Sequence, residues 1–214
     1  MKNILLLVGS PRKEKSTSNS LGEYLLNEFK DEDFNTKKVF LHYKKQIKKQ
    51  EILDNIDWAD LIILSFPLYV DCLPADVIKN LEIIKDEYNS NQNKYFFAIS
   101  NCGFPESHHN NTALKICKQF AIEMNWEWRG SLAVGMGAAI NGSQLIEPKG
   151  MVKNIIQELD NVYDKLAHTD DLIKASAAPS IPQWLYILMG NMGWRYQAFK
   201  NGIWNELKDK PYKK

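Results

Sequence analysis

The sequence predicts an α/β fold: a parallel sheet with helices on both faces, followed by an aromatic-rich helical extension. Three observations carry this reading. Strand-like and helix-like segments alternate from the first residues to about residue 166. The runs at residues 3–8 and 60–65 are almost continuously apolar, as strands buried on both faces must be. The first of them breaks at Gly9-Ser10-Pro11-Arg12 and Ser16-Thr17-Ser18-Asn19-Ser20, just before a segment with helical spacing, which makes a strand, loop and helix unit.

The elements follow in order. Strand one is 3–8, helix one 21–29 and strand two 37–42. A lysine-rich loop at 44–49 leads through Ile52 to Trp58 into strand three at 60–65, which Pro67 ends. A helix at 75–86, strand four at 95–100, a helix from about 111 to 124, strand five at 128–134 and a helix at 150–166 complete a domain spanning 1–170. Residues 171–214 are read as a helical extension with no sixth strand. There Pro182 sits near a helix start, and Trp184, Leu185, Leu188 and Met189 form an apolar face. The extension packs on its own domain, serves as a dimer arm or site cover, or lies on a membrane surface; Arg195 and Lys200 are too few for the last.

Composition limits the partners. With 44% hydrophobic and 25% charged residues and a formal net charge of +1, the chain matches an ordinary soluble protein, and no nucleic-acid surface is expected. No run reaches the roughly 20 apolar residues of a bilayer span, and residues 3–8 are too short for a signal peptide, so the expectation is a cytoplasmic protein with a small-molecule partner. Cys72, Cys102 and Cys117 are too widely spaced for a disulfide framework or a metal site.

The hydroxyl-rich loop reads as a phosphate cradle. The backbone amides of Ser16 to Ser20 fall at a helix N-terminus, which attracts anions, and Arg12, Lys13 and Lys15 add positive charge. It is not a nucleotide-hydrolase loop, because Glu14 stands where a second glycine would have to wrap a phosphate. Gly135-Met136-Gly137-Ala138-Ala139-Ile140 is likewise a poor dinucleotide fingerprint, since Ile140 fills the last glycine position. Two further segments lie at strand ends, where open sheets bind ligands: Pro67-Leu68-Tyr69-Val70, stiffened by Pro67 and Pro74, and Asn101-Cys102-Gly103-Phe104. Both suit a planar ring.

Together, Gly9-Ser10-Pro11-Arg12 with Ser16 to Leu21, Trp58-Ala59-Asp60-Leu61-Ile62, Pro67-Leu68-Tyr69 and Leu73-Pro74-Ala75 resemble the flavodoxin-like NAD(P)H-dependent FMN reductases over roughly residues 1–165. The resemblance implies a flavodoxin-like five-stranded parallel sheet in the order 2-1-3-4-5, bound FMN, NAD(P)H as electron donor, a flavin, quinone or similar small acceptor, and a homodimer. It implies that Ser10, Arg12, Ser16, Ser18 and Asn19 hold the FMN phosphate. Pro67, Leu68, Tyr69, Val70, Asn101, Cys102, Gly103 and Phe104 then line the ring. No side chain is expected to act as a general acid or base, because the cofactor carries the chemistry. The chain lacks the compact cysteine cluster of iron–sulfur relatives, and its aromatic tail has no counterpart in the minimal family pattern. Two other functions share this site: a flavodoxin-type electron carrier and a flavin-binding sensor or interaction module.

Overall fold

The computed structural model describes residues 1–32, 34–41, 49–89 and 93–210. They fall into two compact units, Met1–Ser180 and Ile181–Lys214. In the first, β1 (Asn3–Val8), β2 (Asn35–Phe40), β3 (Leu61–Pro67), β4 (Tyr95–Asn101), β5 (Glu127–Val134) and β6 (Ile173–Ala177) form one parallel sheet in the order β2-β1-β3-β4-β5-β6.

Side-chain alternation explains why β1 is apolar throughout. Ile4, Leu6 and Val8 enter a core on one face with Leu21, Leu25 and Phe29 of α1 (Thr17–Asp31), while Leu5 and Leu7 point to the other face. There they meet Ile52 and Ile56 of α2 (Lys49–Trp58), Val77, Leu81 and Ile84 of α3 (Ala75–Glu87), and Cys117 and Phe120 of α4 (Asn111–Glu123). The last helix of this unit, α5 (Lys153–His168), contributes Ile155, Ile156, Leu159 and Val162 to the α1 face.

The sheet has six strands rather than five. Residues 173–177 read Ile-Lys-Ala-Ser-Ala, too short and too poor in large apolar residues to stand out, yet they pair in register from Gly130↔Ile173 to Val134↔Ala177. The first unit therefore runs past residue 170. Helix α1 starts at Thr17, four residues before its first apolar position, because the Ser16 side chain caps it. Residues 49–58 form α2 where the sequence suggested a connector, and β2 lies two residues earlier than expected. Strand β3 runs from Leu61 to Pro67, beyond the expected Ser65, and Pro67 closes it as its last residue, opposite Asn101 of β4. Of the lysine-rich stretch, residues 44–48 lie outside the described residues.

The second unit is one helix, α6 (Gln183–Lys200), followed by a turn at Trp204–Glu206. Pro182 stands at its N-cap, where a missing N–H costs nothing. Among the described residues no helix is long and apolar enough to cross a membrane.

Candidate flavin site

The loops after β1, β3, β4 and β5 all leave the carboxyl edge of the sheet, and side-chain hydrogen bonds tie them together. In the first, Ser16 is the hub. Its hydroxyl donates to the Lys13 carbonyl at 2.5 Å and accepts from the Asn19 amide at 3.1 Å, closing the first turn of α1. The amides of Thr17 and Ser18, next to this cap, donate to no group among the described residues. Those two orphan donors, at the positive end of a 15-residue helix, form an anion seat.

The side chains around that seat differ in what they still offer. The Ser10 hydroxyl accepts from the Arg12 amide at 3.4 Å, and the Ser18 hydroxyl accepts from Asn101 Nδ2 at 2.8 Å, so each keeps its own proton for a ligand. Arg12 is exposed, its Nη2 held at 3.1 Å by Asn141 Oδ1. Asn19 is committed elsewhere: its Nδ2 donates to Glu23 Oε2 at 2.7 Å and to the Glu14 carbonyl at 3.4 Å, and its buried Oδ1 has no partner. Only an acceptor remains on Asn19, and an acceptor does not hold phosphate. The Ser16 proton is likewise engaged, so capping is the role its geometry shows. Ser16→Ala is expected to lower stability by about 1 kcal/mol, read as a lower thermal midpoint; an unchanged midpoint would mean the cap is idle.

A cavity of about 300 Å³ borders α1 on Glu14, Asn19, Glu23, Tyr24 and Gln144, but it is unsuited to an anion. Burial alone would raise the Glu23 carboxyl; hydrogen bonds from Lys38 and Asn19 outweigh it and hold it below the usual range, so it is ionised. The donors left for an anion lie instead at the Thr17–Ser18 end.

The ring segments meet in a second cavity of about 290 Å³, lined by Leu68, Val70, Cys102, Gly103 and Phe104, together with Asp71 and His109. Gly103 has no heavy atom within 4 Å of where a Cβ would stand, so its backbone is open to a flat ligand. Phe104 is exposed and packs on His109 at a centroid distance of 4.5 Å. Pro67, Tyr69 and Asn101 are not among its lining residues; Asn101 is buried, and Tyr69 is exposed. The Leu68 amide donates to the Asn101 carbonyl at 2.8 Å, and Asn101 Nδ2 reaches both Ser18 Oγ and, at 3.1 Å, the Phe66 carbonyl. One buried amide thus joins the anion seat to the ring cavity.

Cys102 is structural. Its Sγ lies 3.6 and 3.7 Å from the Phe104 and Glu106 carbonyls and 3.4 Å from Asn110 Nδ2, and burial pushes the thiol up. Tyr69 and Cys72 exchange backbone hydrogen bonds at 2.9 and 3.0 Å around a turn in which Val70 and Asp71 both take positive φ, 49° and 59°. A β-branched residue is strained there, and Val70 is 99% exposed, so no packing repays it. Val70→Asn is expected to stabilise the protein by about 1 kcal/mol; a fall in the denaturation midpoint would show the turn is not strained.

Two features escaped the sequence. Asp71 and His109 line the cavity, and the loop after β5 closes on the anion seat: Thr17 Oγ1 donates to the Gly137 carbonyl at 2.8 Å. Gly142, at φ 75°, brings its backbone so near the Lys15 carbonyl that a Cβ would stand 2.4 Å from it. The glycines at 135, 137 and 142 after a strand were the available signal; what they serve is close backbone approach.

The comparisons agree with this architecture. The Flavodoxin_2 family, described by its flavodoxin-like fold, matches residues 2–77, which include β1, the anion loop and the Pro67–Val70 segment. The chain has a flavodoxin-like α/β fold. Among solved structures it is similar to an azoreductase from Bacillus anthracis str. Sterne, at 14% identity and a TM-score of 0.53, covering 78% of this chain and 99% of that one. It is similar to the Streptococcus pneumonia TIGR4 flavodoxin, at 12% identity and a TM-score of 0.54, covering 78% and 98%. A Trp repressor binding protein from Bacillus subtilis aligns at 11% identity and a TM-score of 0.52, covering 67% and 98%. At such identities the likeness concerns the fold. None of the curated proteins compared matches the sequence.

Proposed function

We propose that the protein is an FMN-dependent oxidoreductase that passes electrons from NAD(P)H to a flavin, quinone or similar small acceptor. The observation that carries this reading is the Asn101 bridge, which joins an anion seat with two orphan amides to a cavity walled by Leu68, Val70, Gly103 and Phe104. A phosphate beside a flat apolar slot is the shape FMN requires. The Thr17 and Ser18 amides, the Ser10 and Ser18 hydroxyls and Arg12 would hold its phosphate. Leu68, Val70, Gly103 and Phe104 would confine its ring and exclude water from one face. When bound, FMN supplies the electron exchange with nicotinamide and acceptor.

The Bacillus anthracis structure bears the name azoreductase, which favours an enzyme, whereas the pneumococcal structure is called a flavodoxin. A net charge of +1 favours the enzyme, because a carrier docks on its redox partners through a strongly charged surface. Action in the cytoplasm as a homodimer belongs to the same proposal. The test is to record the visible spectrum of the purified protein with FMN, then mix it anaerobically with NADH or NADPH. Flavin binding followed by bleaching is expected. Binding without bleaching would leave a carrier or sensor, and failure to bind flavin would refute the site itself.

A further inference from the structure

The cavity of about 300 Å³ that is unsuited to an anion is built from three stretches of the first unit. Glu14 comes from the short helical turn Lys13–Lys15, Asn19, Glu23 and Tyr24 from α1, and Gln144 and Leu145 from the loop after β5. Glu23 accepts from Lys38 Nζ at 2.9 Å on one carboxylate oxygen and from Asn19 Nδ2 at 2.7 Å on the other. Asn19 Nδ2 also donates to the Glu14 carbonyl, so two acceptors fix which end of this amide is nitrogen and which is oxygen. Asn19 is only 4% exposed, yet its Oδ1 has no donor. A buried acceptor left unpaired is costly, so it calls for a donor that the chain itself does not supply. The Glu14 carboxylate and the Gln144 amide, both on exposed residues of the same wall, likewise have no partner among the described residues.

We propose that this cavity binds a small primary amine as its ammonium ion. An ammonium group carries three N–H donors and no acceptor. The wall answers with three acceptors that lack donors: the Glu14 carboxylate, Asn19 Oδ1 and the Gln144 carbonyl. Charge points the same way. Lys38 offsets Glu23, so Glu14 leaves the wall with a single net negative charge, which a monovalent cation matches; Lys13 and Lys15 flank Glu14 in the chain but do not line the cavity. The buried Leu145 and the ring of Tyr24, whose hydroxyl donates to Asp160 Oδ1 at 2.7 Å, give a short alkyl stem an apolar wall. A metal ion fits less well, because both Glu23 oxygens already have donors and no three His, Cys, Asp or Glu side chains among the described residues could hold one. Seated there, the ammonium ties the turn before α1 to the loop after β5, two stretches that already meet where Gly142 lies against the Lys15 carbonyl.

The test uses the full chain without flavin, so its outcome is independent of the flavin site. n-Butylamine, titrated at neutral pH into isotope-labelled protein, is expected to shift the side-chain amide signals of Asn19 and Gln144 in nuclear magnetic resonance spectra. Saturation with a dissociation constant of about 1 mM is within reach of so small a molecule. n-Butanol, which keeps the stem and lacks the charge, is expected to shift neither signal at the same concentrations. Glu14→Gln is expected to weaken n-butylamine roughly tenfold or more, as loss of a charged acceptor should. Gln144→Ala, at a second exposed position, is expected to weaken it several-fold. Absence of saturable shifts, an equal response to n-butanol, or unchanged affinity in both variants would overturn the proposal. So would calcium chloride moving the same signals at lower concentration than the amine, which would make the cavity a metal site.

Discussion

Thr17→Pro is expected to keep the fold and lose FMN. Thr17 is the first residue of α1, where proline is well tolerated, and the preceding Ser16 already has φ −109° and ψ 147°, the conformation a following proline demands. The substitution removes one of the two orphan amides. It also removes the 2.8 Å hydrogen bond to the Gly137 carbonyl, a loss of about 1 kcal/mol in stability. A hydrogen bond to a charged group is worth about 1.5–3 kcal/mol, so FMN affinity should fall roughly 10- to 100-fold. Riboflavin, which has no phosphate, should bind nearly as before. Titrating both flavins by fluorescence quenching checks this, and equal losses for the two would place the phosphate elsewhere.

Gly130→Ala is expected to cost about 4 kcal/mol or more, a large share of the roughly 5–15 kcal/mol that holds a typical domain folded. Gly130 has φ 110°, and a Cβ there would stand 1.9 Å from the Ile173 carbonyl oxygen, a backbone atom of β6 that side-chain rotation cannot move. The register between β4 and β5 also slips here, from Phe96↔Trp128 to Phe97↔Gly130. Relief would have to come from parting β5 and β6. Urea denaturation gives the value, and a loss below about 1 kcal/mol would mean that β6 yields easily.

These outcomes bear on what the sequence makes visible. Strands buried on both faces announce themselves, as 3–8 and 60–65 do, because every position must be apolar. The edge strands do not: β2 is only partly buried, and β6 has one large apolar residue, Ile173. Helix α2 was hidden because just Ile52 and Ile56 are buried. The anion loop was legible through its hydroxyls, yet the groups best placed to hold an anion are backbone amides. The hydroxyls of Ser16 and Thr17 serve the helix cap and the Gly137 contact instead. The turn at Val70 and Asp71 had little signature: Asp tolerates positive φ, but a β-branched Val at the first position does not. Asp71 and His109 reach the cavity through loop geometry that no periodicity encodes.

The Asn101 side chain gives the two ends of the site a common fate. Because one amide holds Ser18 and the Phe66 carbonyl while the Asn101 main chain anchors Leu68, an anion that steadies the start of α1 also steadies the floor of the ring cavity. A ligand that engaged both ends would then be expected to bind them cooperatively. Inorganic phosphate should accordingly slow hydrogen exchange at the Leu68 amide, a group that it never touches.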